Sequence, residues 1–119
     1  MLHFLRGTAL IAALALNSDF AFAEADFNSA NYIMPSCRAL LELDPPQDMN
    51  TKFLSAQCRA IVDRLIYASS SNVCPPKDAA IRQQSVRVVV KYIDELPARR
   101  HEQFSALALE ALRAAWQCK

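Results

Sequence analysis

Apolar residues recur along this chain at helical rather than alternating spacing, in four separate stretches. In the first, about Ser29 to Leu43, Ile33, Cys37, Leu40 and Leu41 share one side of a helical wheel. Ser29 can cap it, and Pro35 either kinks the helix or marks its true start. Leu43-Asp44-Pro45-Pro46-Gln47-Asp48 reads as a loop, because two prolines end any regular element. The second stretch is the most regular. Leu54, Cys58, Ile61, Val62 and Leu65 follow at i, i+4, i+7, i+8 and i+11, with Asn50 or Thr51 as the cap. Gln57, Arg59, Asp63 and Arg64 lie elsewhere on that wheel. The helix runs out in Ser69-Ser70-Ser71-Asn72, and Cys74-Pro75-Pro76 makes a rigid corner.

Asp78 is placed to cap a third helix, with Ile81, Ser85, Val89, Ile93 and Leu96 on one stripe. Val88-Val89-Val90 favours a strand by propensity. The helical spacing persists for four turns with no turn signal inside it, which decides for helix. Pro97 ends this element and pre-sets the start of the last one. There Phe104, Leu107, Ala108, Ala111, Leu112 and Ala115 form the buried stripe, followed by Trp116 and Cys118. The expectation is an all-α fold: a small four-to-five-helix domain, orthogonal or bundle-like, stapled by two disulfides.

Residues 1–23 have a different character. Arg6 supplies a positive start, Thr8 to Leu16 is a short apolar run, and Ala21-Phe22-Ala23 offers small residues at a cleavage site. Asn17, Ser18 and Asp19 interrupt the run after about ten residues, where a membrane span needs roughly 20. This reads as a bacterial signal peptide, giving export to the periplasm, cleavage after Ala23, no stable membrane insertion and one domain over residues 24–119.

Composition narrows the function. Lys+Arg 13 against Asp+Glu 12 leaves a formal charge of +1, so no basic surface points to nucleic acid. Gly7 is the one glycine, which removes the GxGxxG and Walker loops that need glycine backbones. Four cysteines, Cys37, Cys58, Cys74 and Cys118, in a short exported chain argue for two disulfides in an oxidising compartment. They permit three connectivities, and spacing selects none. The expected pairing is Cys58–Cys74, tying the second helix to the corner after it, with Cys37–Cys118 joining the first and last helices. Each would contribute about 3–5 kcal/mol in the chain-entropy account.

No catalytic constellation stands out. The cysteines contain no CxxC, and His101 is the only histidine after residue 23, so neither zinc nor a thiol catalyst is expected. Asp94 and Glu95 are helix neighbours pointing about 100° apart and do not converge on one atom. Ser69-Ser70-Ser71 lacks a His/Asp arrangement. His101, after Arg99 and Arg100, reads as an exposed or capping residue in the first turn of a helix. The expectation is a protein without enzymatic activity, cofactor or metal.

The residues also carry a resemblance. Cys74-Pro75-Pro76, the run Gln84 to Pro97 with its Val88-Val89-Val90-Lys91-Tyr92 core, His101-Glu102, Phe104, and Leu107 to Trp116 with Cys118 resemble the Rap/Tai family. Asn31 to Cys37 and Cys58 fit the first two cysteines of that family more weakly. Its members are small exported helical proteins, among them immunity proteins against type VI secretion amidase effectors. Relatives often carry glycines two and six residues after the second cysteine, where helices pack closely. Here Ala60 and Arg64 stand there, so that packing, or the face it forms, must differ. Gln117 replaces the proline of a Trp-Pro-Cys ending.

The resemblance implies a periplasmic binding protein that blocks a secreted peptidoglycan amidase by covering its cleft. The alternative is a non-catalytic periplasmic chaperone or envelope adaptor of the same fold without a cognate effector. A homodimer is compatible with either. Polar loops on a rigid scaffold commonly bind, which makes Asp44 to Asn50, Ser69 to Val73 and Arg99 to His101 the candidate contact stretches. Within them the candidate partner-binding residues are Asp44, Gln47, Asp48, Ser70, Asn72, Arg99, Arg100 and His101.

Overall fold

A computed structural model describes residues 26–77 and 81–119. The expected signal peptide, the expected Asp78 cap and the side chain of Ile81 lie outside what is described. The described residues form four helices: α1 Ala30–Ala39, α2 Met49–Ala68, α3 Ile81–Asp94 and α4 Phe104–Ala115, with a 3₁₀ turn at Pro97–Arg99. Each helix packs against the other three. Among the described residues there is no strand, and no helix is long and apolar enough to cross a membrane.

α1 starts where its cap predicts. Ser29 Oγ accepts the Tyr32 N–H at 3.3 Å and itself donates to the Asp26 carbonyl at 2.8 Å. The next two orphan donors are satisfied across the fold: Ala30 N–H donates to the Glu102 carbonyl and Asn31 N–H to the Arg100 carbonyl. Phe104 N–H returns a bond to the Asn28 carbonyl at 2.8 Å. The segment leading into α1 and the segment leading into α4 thus cap one another. Pro35 lies inside α1 on an exposed position and neither starts nor ends it. The helix stops at Ala39, short of Leu43. Leu41 and Glu42 turn back onto the Arg38 and Ala39 carbonyls instead.

α2 is capped two or three residues earlier than the sequence suggests. Asp48, not Asn50 or Thr51, accepts the Thr51 N–H at 2.9 Å, and Thr51 Oγ1 donates back at 2.7 Å. A carboxylate has two acceptor oxygens for this exchange. In α3 the valine run is helical, and Ser85, Val89 and Ile93 are buried as the stripe predicts, joined by Val86 and Val90. Pro97 opens the 3₁₀ turn rather than α4, so His101 sits in the connection before the last helix.

The core is contiguous. Phe104, Met34, Ile93, Leu107, Leu112, Val62, Val73 and Val89 are its largest fully buried side chains. On α2 only Cys58 and Val62 are buried; Leu54, Ile61 and Leu65 are half-covered. Ala115, placed on the buried stripe by its period, is exposed and borders an open groove with Val88 and Tyr92 of α3.

The disulfide pairing differs from the expected one. Cys37 bonds Cys58 and Cys74 bonds Cys118, with Cα separations of 5.5 and 5.0 Å. The reason lies in which surfaces meet: the turn after α2 takes Cys74 to the end of α4, not back along α2 to Cys58. Cys58 instead faces α1, where Cys37 is equally buried and Ser55 Oγ donates to the Ser36 carbonyl at 3.2 Å. Cys74 N–H donates to the Trp116 carbonyl at 2.9 Å, which brings Cys118 alongside.

Candidate functional site

The three candidate loops fall at different places on this frame. Asp44 and Gln47 are exposed in the loop before α2, the Gln47 amide donating to the Pro45 carbonyl at 2.9 Å. Asp48 is spent on capping, and its Thr51 hydroxyl partner holds its carboxyl below the ordinary value of 3.8. The loop folds back along α2, forming a shallow groove of about 300 Å³ whose lining includes Ala39, Leu40, Pro45, Pro46, Ser55 and Ala56.

Ser70 and Asn72 are exposed beyond the other end of α2. There Ser71 and Asn72 border a second groove of about 560 Å³ with Arg113, Gln117 and Cys118. The 20 residues of α2 hold these two loops about 30 Å apart. That is about the full width of a standard interface patch of roughly 800 Å² per partner.

The third stretch is tied to the fold. Arg99 is bidentate to Glu102, through Nε at 2.7 Å and Nη2 at 3.0 Å. It is also bidentate to Glu110, through Nη1 at 2.9 Å and Nη2 at 2.8 Å. Tyr92 Oη completes the cluster by donating to Glu110 at 3.2 Å. The Arg99 hydrogen bonds hold both carboxyls below their ordinary range. Desolvation first, then the hydrogen bond to Glu110 and its charge, raises the Tyr92 phenol above its usual 10.0. Arg100 donates to the Asp94 carbonyl at 3.2 Å, and its Nε is buried without a partner; Arg38 pairs with the Asp94 carboxylate. Of this stretch, only His101 presents an exposed side chain.

The structure therefore does not gather the sequence-derived residues into one patch. Arg99 and Arg100 brace the corner between α3 and α4, and their partners Tyr92, Glu102 and Glu110 had no signal as a group in the sequence. All four cysteines are bonded. Among the described residues no group of three His, Cys, Asp or Glu side chains is arranged to hold a metal ion. Ala60 and Arg64, where closer helix packing was expected to be disturbed, are exposed on α2 and border a groove of about 450 Å³ with Asn28, Gln57 and Ile61.

Fold and surface define a disulfide-stapled, all-α domain that offers polar loops and open grooves, the equipment of a protein-binding module. The family model of the Rap1a immunity proteins matches residues 29–118, and the chain belongs to that family. No curated protein and no solved structure matches it. The family places a protein effector as the partner class.

Proposed function

We propose that the chain is an exported immunity protein that binds a secreted peptidoglycan amidase and blocks it by covering the active-site cleft. The family match over residues 29–118 carries this reading. Two further observations support it. Residues 1–23 have the pattern of a cleaved periplasmic signal, and two disulfides suit an oxidising compartment. Occlusion needs a rigid surface, since ordering flexible loops costs binding energy. The Asp48 cap and the Cys37–Cys58 bond supply that rigidity next to the first loop.

The test uses the oxidised chain, residues 24–119, as bait in a periplasmic extract, followed by co-expression of the recovered protein in the periplasm. Stoichiometric recovery of a peptidoglycan amidase, with cells protected only when this chain is present, is the expected result. An unprotected cell and no amidase recovered would overturn the reading.

A chaperone reading draws on one observation: Arg99 is held by two carboxylates, Glu102 and Glu110, that strong acid would protonate. Apolar-dye binding and client protection at pH 2–4, with no amidase recovered, would select it.

A further inference from the structure

The outer face of α2 carries three of the five large hydrophobic side chains exposed among the described residues, Phe27 and Leu43 being the other two. Met49, Phe53 and Tyr67 are 81%, 70% and 86% exposed. At 100° per residue they fall, with the exposed Ala56 and Ala60, within about 60° of the helical wheel, forming one stripe along the helix. Solvated helix faces are ordinarily polar, and contiguous exposed apolar stripes mark binding sites. Met49 and Phe53 stand a turn apart as bulky anchors at one end and Tyr67 at the other. The alanines between them leave room for a partner to approach the backbone.

Three of the four charged side chains of α2 are exposed cations beside the stripe, and the fourth, Asp63, lies on the same border as Lys52 and Arg59 but is half-buried. Lys52 and Arg59 border it on one side and Arg64 on the other, all exposed. The acidic side chains of α2 and its cap are Asp63, which is half-buried, and Asp48, which is engaged with Thr51. A second copy laid against this face would bring two such cationic borders together. A partner with carboxylates along its rim would be attracted instead. The stripe also runs along α2 from one candidate loop to the other, about 30 Å.

We infer that the outer face of α2, from Met49 to Tyr67, is the docking surface for the effector, and that the effector presents an apolar groove edged by carboxylates. The inference rests on the proposed immunity function and names the surface that performs it. Met49 and Phe53 enter the groove, while Lys52, Arg59 and Arg64 meet its rim and set orientation. Affinity then falls with added salt, because the rim pairs are screened.

The test places benzoylphenylalanine at Phe53, Ala60 and Tyr67, and as a control at the exposed Arg87 of α3, in the full chain in its own cells. The expected result is adducts from the three α2 positions to one protein, mapped to an apolar cleft bordered by Asp or Glu. With that protein purified, Phe53→Ala and the pair Lys52→Glu/Arg64→Glu each weaken binding at least about 10-fold, and the pair also flattens its salt dependence. Both variants keep the parent melting temperature, because these side chains are exposed. Adducts from Arg87 alone would overturn the surface and leave the immunity function standing. Adducts of Phe53 to a second copy of this chain would replace the effector by self-association. No adduct from any position, in cells that the chain also fails to protect, would bring down the proposed function and the docking surface with it.

Discussion

The backbone N–H of Asn31 donates to the carbonyl of Arg100 at 2.8 Å, so the corner between α3 and α4 caps the start of α1. Helix starts usually draw their acceptors from adjacent side chains or water. Here Ser29 supplies one acceptor and the distant corner two more. The domain is closed at that point by main chain rather than by side chains alone.

Ser29→Ala removes the bond to Tyr32 N–H and the donor to the Asp26 carbonyl. The expected cost is about 1 kcal/mol, a fall in melting temperature of roughly 4–8 °C for a domain of this size. Thermal unfolding followed by circular dichroism checks it.

Phe104 is fully buried at the first position of α4, where it touches the core that all four helices share. Phe104→Ala is expected to cost about 3–5 kcal/mol. Urea unfolding should show the midpoint lowered with the slope unchanged.

The two disulfides differ in access. Cys37 and Cys58 are fully buried, whereas Cys74 and Cys118 are exposed. A limiting reductant under native conditions should open Cys74–Cys118 first, seen as alkylation of those two residues by peptide mass mapping. The bonds close sequence separations of 21 and 44 residues. Their loss by paired Cys→Ser changes is expected to cost about 3 and about 4 kcal/mol respectively in the chain-entropy account.

The acid limb of stability should run through Arg99. Its hydrogen bonds depress Glu102 and Glu110 below their ordinary value of 4.5 in the folded chain. A depressed carboxylate contributes fully above its unfolded pKa and loses that contribution as pH falls through the folded one. The melting temperature is therefore expected to hold from pH 7 to about 5 and to drop below 4.5. In Arg99→Met the same scan starts lower and falls less. Tyr92 has the opposite sign: its raised pKa contributes below 10.0 and loses that contribution as pH rises through the folded value.

The helices were legible because each carries its own apolar period, strong enough in α3 to override the strand propensity of Val88 to Val90. Cap positions were less so. Asp48, Asn50 and Thr51 all qualify chemically, and only the backbone path leaving Pro46 decides among them. Disulfide pairing depends on which faces of α1 and α2 cross, a relation that spacing along one chain does not contain. The Arg99 cluster was half visible, since Glu102 lies three residues on, but Glu110 and Tyr92 arrive only through the packing of α3 on α4. The outer stripe of α2 was present at i, i+4, i+7, i+11 and i+18. It was hidden because the same helix carries a second, buried apolar side that claims the period first.

The mutual capping of Asn28–Asn31 with Arg100–Phe104 has a consequence for the order of events in making this protein. A chain delivered N-terminus first, whether from a ribosome or through a narrow pore, presents Asn28–Asn31 early and its acceptors last. Cys74 waits in the same way for Cys118. Cys37 and Cys58 can meet while the rest is still arriving, but the domain cannot close until residues 100–118 have been added.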